Sequence, residues 1–339
     1  MTVSHKRILY IGTLCLVALL LICGVVAGLF LTPCYSGEER ALIYVVPADN
    51  PSDVKHKLNE ADVRSIGFSL LGRVVGYKVR PGRYAVSRGD NLLSVFRRMR
   101  NGMQEPVNLT IPSVRTMDRL AEYLSQHLML DSAEVAQSFA DSVFCGRYGY
   151  NVQTLPALFI PNTYQVYWTI SLDEFMSRMQ RENKTFWTQQ REEKAAAMGF
   201  SHEEIVTLAS IIEEETANNG EKPMIAGMYI RRLQIGMPLQ ADPTVKFALG
   251  DFSLRRIWGH HLTVDSPYNT YKNTGLPPGP IRIPSVAGID AVLNYVPHDC
   301  IYMCAKEDFS GTHNFARTYG EHLKNARRYT KALNERNIN

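Results

Sequence analysis

The sequence predicts an α+β protein with an N-terminal transmembrane helix, a small α+β module and a larger, mostly helical domain. Three observations carry this reading. Residues 8–31 form one uncharged apolar run. Strand-like and helix-like segments alternate from about residue 40 to 111. From Arg115 onward helical periodicity dominates, interrupted by Pro- and Gly-rich segments. The expected boundaries are a cytoplasmic N-terminus at 1–7, a transmembrane helix at 8–31, a module at 40–111 and a helical domain at 112–339. A chain of 339 residues has room for this plan, and 45% hydrophobic with 21% charged residues is ordinary for a folded protein. The net charge of +4 is too mild, and basic residues too scattered among the aromatics, to argue for nucleic acid.

The N-terminal run from Ile8 to Leu31 is about 36 Å long as a helix, enough to cross a hydrocarbon core of about 30 Å. His5, Lys6 and Arg7 precede it, whereas Gly37, Glu38 and Glu39 follow it. Positive charge on the short side places that end in the cytoplasm and the rest outside. A cleaved signal peptide is the alternative. The run is longer than the usual apolar region, and Thr32-Pro33-Cys34 is a poor cleavage pattern. Lipidation at Cys23 or Cys34 is disfavoured by Ile22 and Pro33 before them. The chain has six cysteines. Cys15 and Cys23 fall in the run and Cys34 just after it. Cys300 and Cys304, in a strand at about 3.3 Å per residue, stand roughly 13 Å apart, too far to bridge. No His/Cys cluster has zinc spacing. The cysteines read as buried small residues, with no metal or other cofactor expected.

Beyond the anchor, Ala41–Val46 reads as a strand and Ser52 opens a helix. Ser65–Val75 reads as a second helix, and Tyr77–Val86 as a strand broken at Pro81-Gly82. Asp90 is the expected cap of a helix from Leu92 to Met99. In the second region, helical periodicity covers Met117–His127, Ser132–Ser142, Leu172–Met198 and Glu203–Thr216. Rigid loops at Phe159–Tyr164 and Thr274–Pro280 either line a site or simply connect. The end offers a helix from Val286 to Asn294, a strand from Ile301 to Lys306 and a basic helix from Tyr319 to Asn334.

The segment Ser201–Thr216 carries the sharpest chemical signal. Ser201 with Glu204 is a capping box, which fixes the helix start. Ile205, Leu208, Ala209, Ile212 and Thr216 share one face. Turning about 100° per residue sends Glu214 nearly opposite that face, and Glu213 to one shoulder. Glu215 lies on the other shoulder, between Leu208 and Ile211. It is thus the glutamate most readily pressed against apolar neighbours. Desolvation raises a carboxyl pKa, and a carboxyl raised toward neutrality can protonate a leaving glycosidic oxygen. An ordinary acidic helix end, with solvated carboxylates, is the bland alternative. Further on, Gln240, Asp242 and Thr244 alternate, so an extended stretch would put them on one side. Asp242-Pro243 equally reads as a helix cap and start. Ser266–Tyr271 adds hydroxyls, an amide and two aromatics, side chains of the kind that hold sugars.

These residues resemble the endolytic murein transglycosylases, the YceG-like (MltG) family. The resemblance runs through Leu208–Thr216, Leu239–Val245, Tyr268–Tyr271 and Gly275–Ile281. Phe159–Tyr164 and the stretch around Pro81-Gly-Arg-Tyr84 also fit, so it covers about residues 40–336. It implies a LysM-like module followed by a catalytic YceG-like domain, anchored in the bacterial inner membrane with the catalytic domain periplasmic. The implied activity is cleavage of the β-1,4 bond between N-acetylmuramic acid and N-acetylglucosamine in nascent peptidoglycan, leaving 1,6-anhydro ends and limiting glycan elongation. The family's essential glutamate maps to Glu215. The resemblance also implies peptidoglycan synthases as partners, although no residue here points to them. Two departures stand out. Pro112-Ser113-Val114 replaces the family's Pro-Glu-Gly, near the junction of the two regions, and Arg231 stands where Asn is common.

The expectation is therefore a lytic transglycosylase with Glu215 as acid/base and Gln240, Asp242, Thr244, Asn269 and Tyr271 shaping the sugar site. A hydrolase using Asp242 to activate water shares that site. A membrane-tethered, non-catalytic peptidoglycan-binding protein is the rival from another class. A zinc peptidase is disfavoured because no His-x-x-x-His or Cys-x-x-Cys pair is present.

Overall fold

The computed structural model describes residues 3–254 and 256–336. The fold is α+β, mostly helical with small two-stranded sheets, and it begins with one long apolar helix, α1 (Val3–Phe30). Residues 1 and 2 of the expected cytoplasmic segment lie outside the described residues, as do 337–339 at the other end. From Arg7 to Phe30, α1 is long and apolar enough to cross a membrane, and almost none of it is buried. Two compact units follow from the pattern of contacts. The first comprises Met1–Asn108 with His127–Met129 and Gln165–Ile170. The second comprises Leu109–Gln126, Leu130–Tyr164 and Ser171–Asn339.

The first unit is built from β1 (Ala41–Val45), α2 (Pro51–Glu60), α3 (Phe68–Val75), β2 (Gly82–Val86) and α4 (Leu92–Asn101). β1 and β2 pair antiparallel, from Ala41 opposite Val86 to Val45 opposite Gly82. Their inward residues, Ile43, Val45, Tyr84 and Val86, pack on Val54 and Leu58 of α2, Phe68 of α3 and Phe96 of α4. Phe30 and Cys34 complete this core, so the end of α1 is part of the unit rather than a loose tether. Strand β3 (Val107–Thr110) then leads onward.

Helices α5 (Met117–His127), α6 (Ser132–Ala140) and α7 (Ser142–Gly146) come next, followed by β4 (Thr163–Val166), α8 (Leu172–Phe186) and α9 (Gln189–Met198). Then come α10 (His202–Glu215), α11 (Lys222–Gln234), α12 (Asp242–Leu249) and α13 (Val286–Leu293). A hairpin of β5 (Tyr302–Ala305) and β6 (His313–Ala316) and the terminal α14 (Tyr319–Glu335) close the chain. The core of the second unit forms around α10. Every residue of α10 from Ile205 to Ile212 is buried, and α11 and α13 pack beside it. The expected single apolar face understates this helix, which is enclosed on all sides. Gly227 on α11 permits a close approach: a Cβ there would lie 2.0 Å from the Val296 carbonyl oxygen.

Several local expectations are corrected, each for a physical reason. Asp90 does not cap α4. Its carboxylate accepts the Ser87 N–H and pairs with Arg98, while Asn91 caps the helix through the Ser94 N–H. The Tyr77–Val86 strand shortens to Gly82–Val86, because five-residue β1 offers no partner beyond Gly82. The helix expected from Ser65 starts at Phe68: Ser65 bonds the Asn59 side chain, and Gly67 is left-handed at φ +96°. The run Leu172–Met198 breaks between α8 and α9, where Trp187 is buried and stacks on His202 at 3.9 Å between ring centroids. Only Cys34 and Cys145 are buried cysteines; Cys15 and Cys23 are exposed, and Cys300 and Cys304 are half-buried.

Candidate active site

The site grows from the C-terminal end of α10. The capping box sets the helix start: the Glu204 N–H donates to Ser201 Oγ, and the Ser201 N–H donates to Glu204 Oε2. Burial of Ile205–Ile212 then holds the helix rigid. Its last turn carries three glutamates whose side chains diverge as the 100° rotation requires.

Each carboxylate has different partners. Glu213 accepts hydrogen bonds from Lys222 Nζ at 2.7 Å and Ser285 Oγ at 2.8 Å. Glu214 is gripped by Arg115 through Nε and Nη2, at 2.7 and 2.9 Å, and by Arg282 Nη1 at 2.8 Å. Burial alone would raise the Glu214 carboxyl, but the two guanidiniums outweigh it and hold the group below its ordinary range. Among the described residues, no guanidinium donates a hydrogen bond to Glu215. It accepts one from the Tyr229 hydroxyl, at 2.7 Å to Oε1. Burial raises its carboxyl above the ordinary value. The Tyr229 hydrogen bond pulls the other way, the charge of Asp242 adds to the rise, and His313 and Arg232 oppose it. Neighbouring residues on one helix thus have proton affinities shifted in opposite directions, unlike the alternative of an ordinary acidic end with solvated carboxylates.

Tyr229 lies on α11 and is buried; burial, and then the charge of Glu215, push its phenol well above the usual range. Arg232, one turn on, is also buried and donates to the carbonyls of Ile301 and Leu239, tying α11 to the chain before β5 and before α12. At the head of α11 the buried Glu221 accepts from the backbone N–H of His313, and its Oε2 faces His313 Nδ1 at 2.8 Å. A carboxylate can only accept, so His313 Nδ1 carries a proton and donates it to Glu221.

Asp242 and Tyr271 come together: the Tyr271 hydroxyl donates to Asp242 Oδ1 at 2.6 Å. Asp242 is not a cap. Ala241 holds the cap position of α12 without a side-chain bond, and Asp242 is the first helical residue, its carboxylate free to face Tyr271 and Glu215. Burial, and then Asp242, raise the Tyr271 phenol. The extended arrangement of Gln240, Asp242 and Thr244 on one side does not form. Gln240 takes a left-handed backbone at φ +50°, and the helix begins at Asp242.

Gln240 is exposed, its backbone N–H donating to the Thr270 carbonyl. Thr244 is fully buried: its hydroxyl donates to the Ala241 carbonyl and meets the Thr270 hydroxyl at 2.8 Å. Asn269 is equally buried; its amide donates to the carbonyls of Leu262 and Val264, and its Oδ1 accepts the Tyr271 N–H. Thr244 and Asn269 therefore hold the two loops that present Asp242 and Tyr271. Of the residues singled out from sequence, Glu215, Asp242 and Tyr271 bring ionisable groups near one another, Asp242 exposed and the other two half-buried.

Tyr229, Arg232 and the Glu221–His313 pair escaped sequence reading. The i, i+3 spacing of Tyr229 and Arg232 on one helix face was the available signal for two of them. His313 is paired across ninety-two residues and leaves no local trace. The two departures from the family pattern are also placed. Ser113 lies inside the second unit, where Arg282 donates to its Oγ and so links it to Glu214. Arg231 lies 4.0 Å from Asp299, about 200° around α11 from Tyr229.

A family model described as the YceG-like family matches residues 43–328. An endolytic murein transglycosylase of Bacillus subtilis (strain 168) is 36% identical over 166 residues, covering 49% of this chain and 45% of that protein. One of Streptococcus pneumoniae serotype 2 (strain D39 / NCTC 7466) is 26% identical over 365 residues, covering 95% of this chain and 65% of that protein. The chain therefore spans between about half and two thirds of these relatives' length. The solved structure of a yceG-like protein from Listeria monocytogenes superposes with a TM-score of 0.56 at 27% identity, covering 85% of this chain and 99% of that one.

Proposed function

Because the chain belongs to the YceG-like family, we propose that it is a membrane-anchored endolytic lytic transglycosylase with Glu215 as its acid/base. The single observation that carries the proposal is the Glu215 carboxyl, raised by burial at the end of a rigid core helix and bonded to Tyr229 through one oxygen. With Oε1 occupied, the acidic proton resides on Oε2. That proton passes to the glycosidic oxygen of the departing N-acetylglucosamine as the bond from C1 of N-acetylmuramic acid breaks. The ionised carboxylate then takes the proton of the C6 hydroxyl as O6 bonds to C1. A 1,6-anhydro end forms, no water is consumed and Glu215 regains its proton. The negative charge of Asp242 favours the cationic character that develops at C1, and Tyr271 holds that carboxylate in place. One acid/base carboxyl suffices, because an internal hydroxyl replaces water.

The relatives' name, endolytic murein transglycosylase, supports peptidoglycan as the substrate class. The exposed apolar length of α1 supports a single-pass anchor, with the cytoplasmic side set by Lys6 and Arg7. The β1–α2–α3–β2 order with an antiparallel strand pair supports the reading of the first unit as LysM-like.

Mass spectrometry of fragments released from purified peptidoglycan tests the activity. Phe30 and Cys34 belong to a core, so the sample is the whole chain in detergent rather than a fragment from residue 35. The expected products end in 1,6-anhydro-N-acetylmuramic acid, and Glu215→Gln lowers their rate by at least about 10²-fold. Products one water heavier would replace the lytic mechanism with hydrolysis at Asp242. Intact strands bound by a folded protein would move the function to binding alone.

A further inference from the structure

Helix α3 turns Phe68 inward, against Tyr77 and Phe96, with Leu71 half-buried beside it. Other apolar residues on and just before the helix face outward. Ile66 just before the helix, Leu70 and Val74 follow one another at i, i+4 and i+8 and are 55–76% exposed. An apolar row this open on so short a helix calls for a covering surface.

Its place in the unit identifies that surface. The α3 entrance is fitted to the end of α1: a Cβ on Gly67 would lie 2.7 Å from the Phe30 ring. The Arg64 guanidinium donates to the carbonyls of Gly28, at 3.4 Å, and Pro33, at 3.2 Å, and to the Thr32 hydroxyl. Arg64 thus caps the C-terminal end of the anchor, where a cation suits the helix dipole. The apolar row therefore begins one side chain away from the point where the apolar run of α1 ends. Charge points the same way. From Val63 to Pro81 there is no Asp or Glu, while Arg64, Arg73, Lys78 and Arg80 are basic.

We propose that α3 lies in the interface of the bilayer that α1 crosses, with Ile66, Leu70 and Val74 among the upper acyl chains and Arg73 and Lys78 among anionic lipid headgroups. This rests on the reading of α1 as a membrane anchor. An interfacial helix has its apolar face about 5–10 Å deep and its basic residues at headgroup level, which fits the row and its flanking cations. The first unit is then held to the membrane at two points, and its orientation about the anchor is fixed.

The test uses the whole chain in vesicles of phosphatidylethanolamine and phosphatidylglycerol. An environment-sensitive fluorophore is attached at Leu70→Cys or, separately, at Leu19→Cys in the anchor, with Cys15, Cys23, Cys300 and Cys304 replaced. Leu70 is exposed, so its substitution spares the core. The expected result is that spin labels high on the lipid chains quench the Leu70 probe more than deep ones do, and the order reverses at Leu19. A Leu70 probe that aqueous iodide quenches freely and lipid labels do not, beside a lipid-quenched Leu19, overturns the interfacial helix and leaves the anchor standing. Iodide access at both positions overturns both readings.

Discussion

Glu214 and Glu215 differ by one position and by opposite proton affinities, and the difference has measurable consequences. The Glu215 carboxyl binds its proton more tightly folded than unfolded. Its contribution to stability is therefore complete below the ordinary glutamate pKa and is lost as pH rises toward the folded value. Glu215→Gln removes that loss, so its melting temperature should exceed the wild type's by more at pH 8 than at pH 4, read by calorimetry. Glu214 has the reverse sign, its stabilisation being present above the ordinary pKa and lost as pH falls through the folded value. Glu214→Gln should cost about 1–3 kcal/mol at neutral pH and progressively less in acid. Tyr229→Phe removes a hydrogen bond that lowers the Glu215 pKa. Because Glu215 must be protonated to act as an acid, the alkaline limb of kcat/KM should move to higher pH as kcat falls. A purely structural role for Tyr229 would lower the rate without moving the limb.

At the scale of elements, the site depends on how α11 sits beside α10. Lys222, buried at the head of α11, pairs with Glu213, and Gly227 lets the backbone approach Val296. A methyl group at Gly227 would meet a carbonyl oxygen at 2.0 Å, which backbone atoms cannot yield to as a side chain would. Gly227→Ala should destabilise the protein by about 1–3 kcal/mol and lower kcat through displacement of Tyr229. Unchanged thermal unfolding would show that the approach is looser than this geometry requires. The pattern of Ile205–Ile212 gave α10 its type and the Ser201–Glu204 capping box its start, yet a helix enclosed on every side has no single face to read. The break at Trp187 was hidden for a related reason: helical periodicity continues through it, and stacking on His202 selects where the chain turns.

For the whole molecule, the end of α1 and the rest of the first unit form one folding element. Phe30 and Cys34 pack with Ile43, Leu58 and Phe68, so removing residues before 35 opens the first unit's core. Loss of a buried aromatic costs about 3–5 kcal/mol. Calorimetry should show an unfolding transition lowered in a chain from residue 35 relative to the whole chain in the same detergent, with the transition that reports the α10 core unmoved. Coincident transitions in both proteins would deny Phe30 that role.

The sequence by itself determined what depends on neighbours along the chain: the apolar length of α1, the capping box at Ser201 and the alternation that builds the first unit. It also singled out Glu215 from the triplet as the carboxyl that burial would raise, because a helical rotation turns it to the shoulder of Leu208 and Ile211. The tertiary structure alone decided the rest. It placed Tyr229 on Glu215, turned Thr244 and Asn269 inward as loop supports, freed Asp242 from capping and set His313 on Glu221. The proton affinity of a carboxyl is set by the dielectric and charges within a few ångströms, and here segments far apart in sequence supply them.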